Sequence, residues 1–107
     1  MAKVLVSDPV AAEGVAILRR AGLEVDVRTG LSSAELKEII GEYEGLAVRS
    51  ETKVTAEILE AAHKLKIIGR AGVGVDNIDV ARATEKGILV VNSPEGNTIA
   101  EIGRAHV

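Results

Sequence analysis

The sequence of 107 residues, 47% hydrophobic and 27% charged, predicts one soluble globular domain, residues 1–107, with a substantial core. Its net charge of −3 gives no reason to expect nucleic acid or an anionic membrane as a partner. Neither a signal peptide nor an apolar run of about 18 residues is found, so we expect a cytoplasmic protein.

Five predicted strands alternate with five predicted helices along the chain. Apolar and β-branched runs place the strands at residues 3–7, 23–27, 45–49, 66–69 and 88–91. Helical periodicity between caps and glycines places the helices at residues 10–21, 33–40, 56–62, 78–86 and from 98 toward 107. The predicted N-terminal capping residues are Asp8, Ser32 with Glu35, Thr55, Asp76 with Asn77, and Thr98 with Glu101.

The pattern of the strands predicts a parallel sheet with helices on both faces. Residues 23–27 alternate apolar and polar side chains and are therefore predicted to form an edge strand, whereas the other strands are almost continuously apolar. We expect a flavodoxin-like, three-layer α/β/α fold with strand order 2-1-3-4-5. Ile67, Ile68, Val90 and Val91 are predicted to be fully buried in this sheet.

A glycine-rich turn follows the fourth strand, from Gly69 through Arg70 and Gly72 to Gly74. A strand that runs into such a turn and then a helix points backbone N–H groups at an anion, so we interpret it as an anion-binding turn. Two alternatives stay open. The turn begins like a dinucleotide fingerprint, with Glu95 about twenty residues on, although Asn77 occupies the third glycine position. It is also suited to be a plain connection between strand and helix.

Polar residues follow the strands at the sheet edge where open parallel sheets bind their ligands. These residues are Ser7 with Asp8, Arg49 with Ser50, Arg70 with its glycine turn, and Asn92 with Ser93. Two arginines and several backbone donors predict an electropositive pocket for a small carboxylate or phosphate-bearing ligand. The alternative is that the arginines form surface ion pairs with Asp8, Glu51 or Asp76, which contribute little to stability.

Several catalytic classes are excluded by the residues at this edge. A phospho-acceptor receiver domain would need an aspartate where Arg49 stands and a lysine where Asn92 stands. His63 and His106 are too far from the edge for a catalytic triad and too few for a structural zinc site, and the lack of cysteine removes thiol chemistry. We therefore predict no catalytic residue, metal site or cofactor site within the chain.

Three blocks of sequence resemble the substrate domain of the D-3-phosphoglycerate dehydrogenases, within the family of NAD-dependent D-2-hydroxyacid dehydrogenases. The blocks lie at residues 48–55, 69–79 and 87–98, and the resemblance spans residues 3–100. It implies a flavodoxin-like substrate domain that closes over a separate Rossmann domain, which holds NAD. The parent reaction would be the oxidation of 3-phosphoglycerate to 3-phosphohydroxypyruvate in serine biosynthesis.

The resemblance also implies roles for individual residues. Arg49 and Ser50 would face the phosphate and carboxylate of the substrate, with Arg70 nearby. Backbone N–H groups around Val73 and Gly74, in the turn that begins at Gly72, would hold the substrate carboxylate. Asn97 would lie near the hinge and the active-site cleft.

Residues 101–107 depart from the family pattern, and the family's catalytic arginine and glutamate–histidine pair would lie beyond them. We therefore expect a substrate domain separated from its enzyme, truncated before the NAD domain and inactive alone. It would bind a phosphorylated hydroxy or keto acid weakly, as a monomer rather than as a dimer formed through the C-terminal helix. The alternatives are a stand-alone anion-binding module and an engineered protein made for folding studies. The absence of glutamine and cysteine and the single methionine suit a thermophilic or an engineered source. The single aromatic residue, Tyr43, argues against a flavin or a stacked base as ligand.

Overall fold

The computed structural model describes residues 2–72 and 76–105 as a five-stranded parallel sheet with the order β2-β1-β3-β4-β5. The strands are β1 (Lys3–Val6), β2 (Glu24–Val27), β3 (Gly45–Val48), β4 (Ile67–Ala71) and β5 (Leu89–Ser93). The helices are α1 (Ala12–Arg20), α2 (Ser33–Ile39), α3 (Ala56–Ala61), α4 (Val80–Glu85) and α5 (Glu95–Ala105), with a 3-10 turn at Ile40–Glu42. The predicted strand order and the edge position of β2 are confirmed.

Helices cover both faces of the sheet, as predicted. Because side chains alternate along a strand, β1 sends Leu5 to one face and Val4 and Val6 to the other. The Leu5 face is packed under α2, α3 and α4, with Leu36, Leu46, Ile58, Leu59, Ile68 and Ala83 among its buried residues. The Val4 face is packed under α1 and α5, with Val15, Leu18, Ile67, Ile99 and Ile102 among its buried residues.

The prediction of full burial holds for β4 and is wrong for β5. Ile67 and Ile68 are buried, whereas Val90 and Val91 are only half-buried. The physical reason is position, because β5 is an edge strand with a neighbour on one side only, and its first residue, Leu89, is 56% exposed. The predicted order 2-1-3-4-5 also ends at this strand, so the prediction of full burial rested on its apolar sequence alone.

Three predicted helix starts are wrong, because the side chains of Asp8, Asn77 and Thr98 bond to other parts of the chain. Helix α1 begins after Ala11, which has no side-chain cap, rather than at Asp8. Helix α4 is capped by Asp79, whose Oδ1 accepts from the Arg82 N–H, rather than by the Asp76–Asn77 pair. Helix α5 begins at Glu95, so Thr98 lies inside it.

Two other caps are confirmed. Ser32 and Glu35 form the reciprocal capping box of α2, in which each side chain accepts from the other residue's backbone N–H. The Thr55 hydroxyl accepts from the Ile58 N–H at the start of α3. Both caps join residues three positions apart, so a local sequence pattern is enough to predict them.

Candidate functional site

The polar residues after β1, β3 and β4 lie together at the carboxyl edge of the sheet. The parallel register places Val48 of β3 opposite Arg70 of β4, and Arg70 opposite Asn92 of β5. Arg49 therefore leaves β3 next to the strand position of Arg70. In this sheet the direction in which successive strands are added reverses between β1 and β3, and open α/β sheets bind their ligands at such a reversal point. This edge is the candidate site.

Asp8 crosses that reversal point and holds the loop after β3. Its Oδ2 accepts from the backbone N–H of Arg49 at 2.7 Å and of Thr52 at 2.9 Å, and its Oδ1 accepts from the Thr52 hydroxyl at 2.5 Å. The Ser7 hydroxyl lies 2.9 Å from the same Thr52 oxygen. Asp8 is buried, and these donors explain why its carboxylate tolerates burial.

Asn77 holds the same loop from the other side and joins it to Arg70. Its Nδ2 donates to the carbonyls of Arg49 and Thr52, both at 2.7 Å, and its Oδ1 accepts from Arg70 Nε at 2.7 Å. The backbone continues this junction, because the Val54 N–H donates to the Asn77 carbonyl at 2.8 Å. Asn77 is only 7% exposed, so these bonds form out of contact with bulk water.

The side chains of Arg49 and Ser50 are exposed and line a cleft of about 290 Å³ with Pro9 and Glu51. Arg49 Nη1 donates to the Pro9 carbonyl at 3.4 Å. Among the described residues, no ion pair joins Arg49 to Asp8, Glu51 or Asp76, so the predicted alternative of a neutralised arginine does not hold for Arg49. Arg70 is not among the described residues that line this cleft.

The Arg70 guanidinium lies close to Gly72. Gly72 has a φ of +142°, a value that residues with a side chain rarely adopt. A Cβ placed there would lie 2.9 Å from Arg70 Nη1. Glycine at this position therefore leaves room for the guanidinium as well as for the backbone. Val73 and Gly74, the predicted carboxylate-binding residues, lie outside the described residues.

Helix α5 also reaches the site. The Thr98 hydroxyl, which is buried, donates to the Arg70 carbonyl at 3.1 Å. Asn97, predicted to lie near the cleft, is exposed in the first turns of α5, and its backbone N–H donates to the Pro94 carbonyl at 2.9 Å. The structure thus brings Thr98 into contact with Arg70, whereas the preceding residue, Asn97, is exposed on the surface.

Sequence reasoning assigned Asp8, Asn77 and Thr98 to helix starts and, although it also placed Asp8 at this edge, it missed the hydrogen bonds that all three make. The available signal was their position, because each is a polar residue next to the end of a predicted apolar strand or in the following loop. Among the described residues, no cluster of three or more His, Cys, Asp or Glu side chains is suited to hold a metal ion. Over the same residues, none of the helices has both the length and the apolar character required to cross a bilayer.

Comparison with known sequences gives matches over almost the whole chain. Residues 4–102 match the family profile described as D-isomer specific 2-hydroxyacid dehydrogenase, catalytic domain. The chain is 62% identical over 100 residues to D-3-phosphoglycerate dehydrogenase from Synechocystis sp., which covers 94% of this chain and 18% of that protein. It is 57% identical over 98 residues to the protein of the same name from Archaeoglobus fulgidus, covering 92% of this chain and 19% of that protein. The chain thus spans about a fifth of the length of these relatives.

Solved structures of dehydrogenases also superpose on this chain. The NAD⁺-bound 3-phosphoglycerate dehydrogenase of Entamoeba histolytica superposes with a TM-score of 0.76 at 36% identity, covering 85% of this chain and 32% of that chain. The D-lactate dehydrogenase of Aquifex aeolicus, in complex with NAD and lactic acid, superposes with a TM-score of 0.68 at 29% identity, covering 85% of this chain and 28% of that chain.

Proposed function

The chain belongs to the D-isomer specific 2-hydroxyacid dehydrogenases, an oxidoreductase family, and from this premise we propose that it is the substrate-binding region of a D-3-phosphoglycerate dehydrogenase. The whole enzyme would be cytoplasmic and would oxidise 3-phosphoglycerate to 3-phosphohydroxypyruvate with NAD⁺ in serine biosynthesis. The role of this region is to hold the phosphate and carboxylate of the substrate.

The proposed ligand contacts come from the residues at the carboxyl edge. Arg49 and Arg70 supply guanidinium groups, which pair with phosphate and carboxylate oxygens through two parallel N–H donors. Ser50 supplies a hydroxyl, and the turn from Gly72 through Val73 to Gly74 supplies backbone N–H groups. Asn97 lies at the start of α5, where the cleft would meet the nucleotide-binding region. The observation that carries the proposal is the junction of the Arg49 and Arg70 segments by Asn77 at this edge.

The described residues around the glycine turn do not fit the dinucleotide fingerprint of NAD-binding domains. The dinucleotide fingerprint requires a third glycine for close packing, and Asn77 fills that position with a buried side chain engaged in three hydrogen bonds. The glycine turn also follows β4 rather than a strand at the β1–β3 reversal. We therefore propose that NAD binding and hydride transfer need parts of the enzyme outside these 107 residues, and that the isolated protein does not reduce NAD⁺ with 3-phosphoglycerate.

The proposal is tested by following the backbone amide NMR spectrum of the protein during titration with 3-phosphoglycerate at constant ionic strength. We expect shifts centred on residues 49–52 and 70–77, with a dissociation constant of about a millimolar or weaker, because an open site buries little of a small ligand. Arg49→Ala and Arg70→Ala should each weaken binding at least about fivefold, through loss of a charge-assisted contact. Arg20→Ala, at an exposed arginine in the last turn of α1, is the matched control and should change nothing.

Two comparison ligands separate the proposal from its alternatives. D-Glycerate lacks the phosphate and inorganic phosphate lacks the carboxylate, so both should bind more weakly than 3-phosphoglycerate. Equal binding of phosphate and 3-phosphoglycerate would instead indicate a general anion-binding module. A wild-type spectrum that does not respond to 3-phosphoglycerate would refute the proposal. The protein would then share the fold of the family but not bind this substrate.

A further inference from the structure

Asn77 links the two segments that carry the arginines, and both of its side-chain donors and its acceptor oxygen are engaged. An asparagine amide has two N–H donors on Nδ2 and a carbonyl acceptor at Oδ1. Both donors are directed to backbone carbonyls, those of Arg49 and Thr52, and Oδ1 accepts from Arg70 Nε, with all three distances at 2.7 Å. The side chain is buried, so water does not offer an equivalent set of partners.

The chemistry of the partners fixes the orientation of this amide. If the amide were flipped, its oxygen would face two carbonyl oxygens and its NH₂ group would face the Arg70 Nε–H, so all three bonds would become repulsive contacts. Aspartate would keep the acceptor for Arg70 but would present oxygen to the carbonyls of Arg49 and Thr52. Serine is too short to span three partners. The position therefore selects asparagine by hydrogen bonding rather than by helix capping.

A fixed Nε–H also fixes the plane of the Arg70 guanidinium. The five N–H groups of arginine lie in one plane, so a bond from Nε at 2.7 Å sets the direction of both Nη groups. Nη1 lies over Gly72, at the start of the proposed anion-binding turn. The same asparagine holds the backbone from which the Arg49 side chain extends.

We propose that Asn77 is a positioning residue for anion recognition, which orients Arg70 and holds the Arg49 loop so that the two arginines act as a unit. It touches neither phosphate nor carboxylate, and it acts by reducing the conformational freedom that ligand binding would otherwise have to remove. This inference rests on the proposed function, since the ligand is the phosphorylated 2-hydroxy acid assigned to Arg49 and Arg70 above.

The test is a double-mutant cycle on 3-phosphoglycerate binding, with Asn77→Ala, Arg70→Lys and the pair together, measured by NMR titration. Arg70→Lys keeps the charge but removes the Nε donor, so it breaks the contact with Asn77 from the other side. Each single variant should weaken binding about fivefold or more. If the two losses were independent, the double variant would lose affinity by the product of the two factors. We expect its loss to be smaller than that product by about threefold or more, because the two residues act through one contact.

The control variant is Thr55→Ala, which removes the N-cap of α3, close to the same loop, without touching Arg70. It should lower stability and leave the affinity within about twofold of the wild type. Additive losses in the cycle, or an equal loss of affinity in Thr55→Ala, would overturn the inference because a purely structural role predicts both. A wild-type protein that does not bind 3-phosphoglycerate at all would refute the proposed function first.

A measurement on the unmodified protein keeps the inference testable if Asn77→Ala does not fold. Hydrogen exchange of the Arg70 Nε–H should be about tenfold or more slower than that of the exposed Arg20 Nε–H, because a buried acceptor holds the proton. Exchange of the Arg70 Nε–H as fast as that of Arg20 would contradict the inference whatever the ligand.

Discussion

Tyr43, the only aromatic residue in the sequence, gives the protein an internal probe of ionisation. Its side chain is 4% exposed, and its hydroxyl donates to Asp26 Oδ2 at 2.7 Å. Burial first, and then the hydrogen bond and the negative charge of Asp26, raise the pKa of the Tyr43 hydroxyl well above its usual range. The raised pKa links the ionisation of this residue to unfolding.

We predict that the near-ultraviolet absorbance of tyrosinate appears only as the protein unfolds in alkali. Since the folded-state pKa is higher than the unfolded one, the stabilisation by neutral Tyr43 is fully present below a pH of about 10 and is lost as the pH rises beyond it. A spectrophotometric titration followed beside circular dichroism measures both events. Ionisation near pH 10 with the fold intact would contradict the prediction, and Asp26→Asn should bring ionisation to a lower pH.

The residues whose roles were not predicted are polar side chains with distant partners. Asp8 bonds to Arg49, 41 positions away, and Thr98 bonds to Arg70, 28 positions away. A sequence pattern reports neighbours within a few residues, and aspartate, asparagine and threonine are all common at helix starts, so the pattern favoured that local role. Asp8 was therefore placed at the right edge of the sheet from sequence, whereas its partners, and the roles of Asn77 and Thr98, required the strand register.

At the scale of elements, the contact between α5 and β4 depends on Gly69. A Cβ at position 69 would lie 2.5 Å from Thr98 Cγ2 and 2.7 Å from Ile102 Cδ1, closer than carbon atoms approach one another. The absence of a side chain lets α5 pack directly on the strand that carries Arg70. The same approach allows the Thr98 hydroxyl to reach the Arg70 carbonyl.

We predict that Gly69→Ala destabilises the protein by about 1–3 kcal/mol, because α5 must move away from the sheet to admit the methyl group. Urea unfolding followed by circular dichroism measures the loss. Combining Gly69→Ala with Thr98→Ser and Ile102→Val removes the two clashing methyl groups and should recover part of the loss, whereas the latter two substitutions alone should destabilise. A Gly69→Ala variant as stable as the wild type would show that α5 is not packed this closely.

Element boundaries were predicted well where the signal was local and poorly where packing decides. The Ser32–Glu35 box and the Thr55 cap were found from sequence because both lie within one helical turn. The start of α5 was placed at Thr98, although the helix begins at Glu95 directly after Pro94, a residue suited to the first turn of a helix. The predicted loop at residues 92–97 thus contains the end of β5 and the first turn of α5.

At the scale of the whole molecule, α5 completes the Val4 face of the core. Ile102 is fully buried and Ile99 nearly so, and the helix contacts α1, β3, β4 and β5 of its own chain. A single residue, Pro94, separates β5 from α5, and the helix folds back onto the sheet of its own chain. These features favour a monomer.

We therefore predict that sedimentation velocity gives a mass near 11.2 kDa at every protein concentration. Ile102→Glu should destabilise the protein by about 3 kcal/mol or more without changing its mass when folded, because it places an unpaired charge in the core. Ile17→Glu, at a residue that is 48% exposed on α1, is the matched control and should be almost neutral. A dimer mass that persists on dilution, and that Ile102→Glu converts to a monomer mass, would mean that α5 packs between two chains rather than within one.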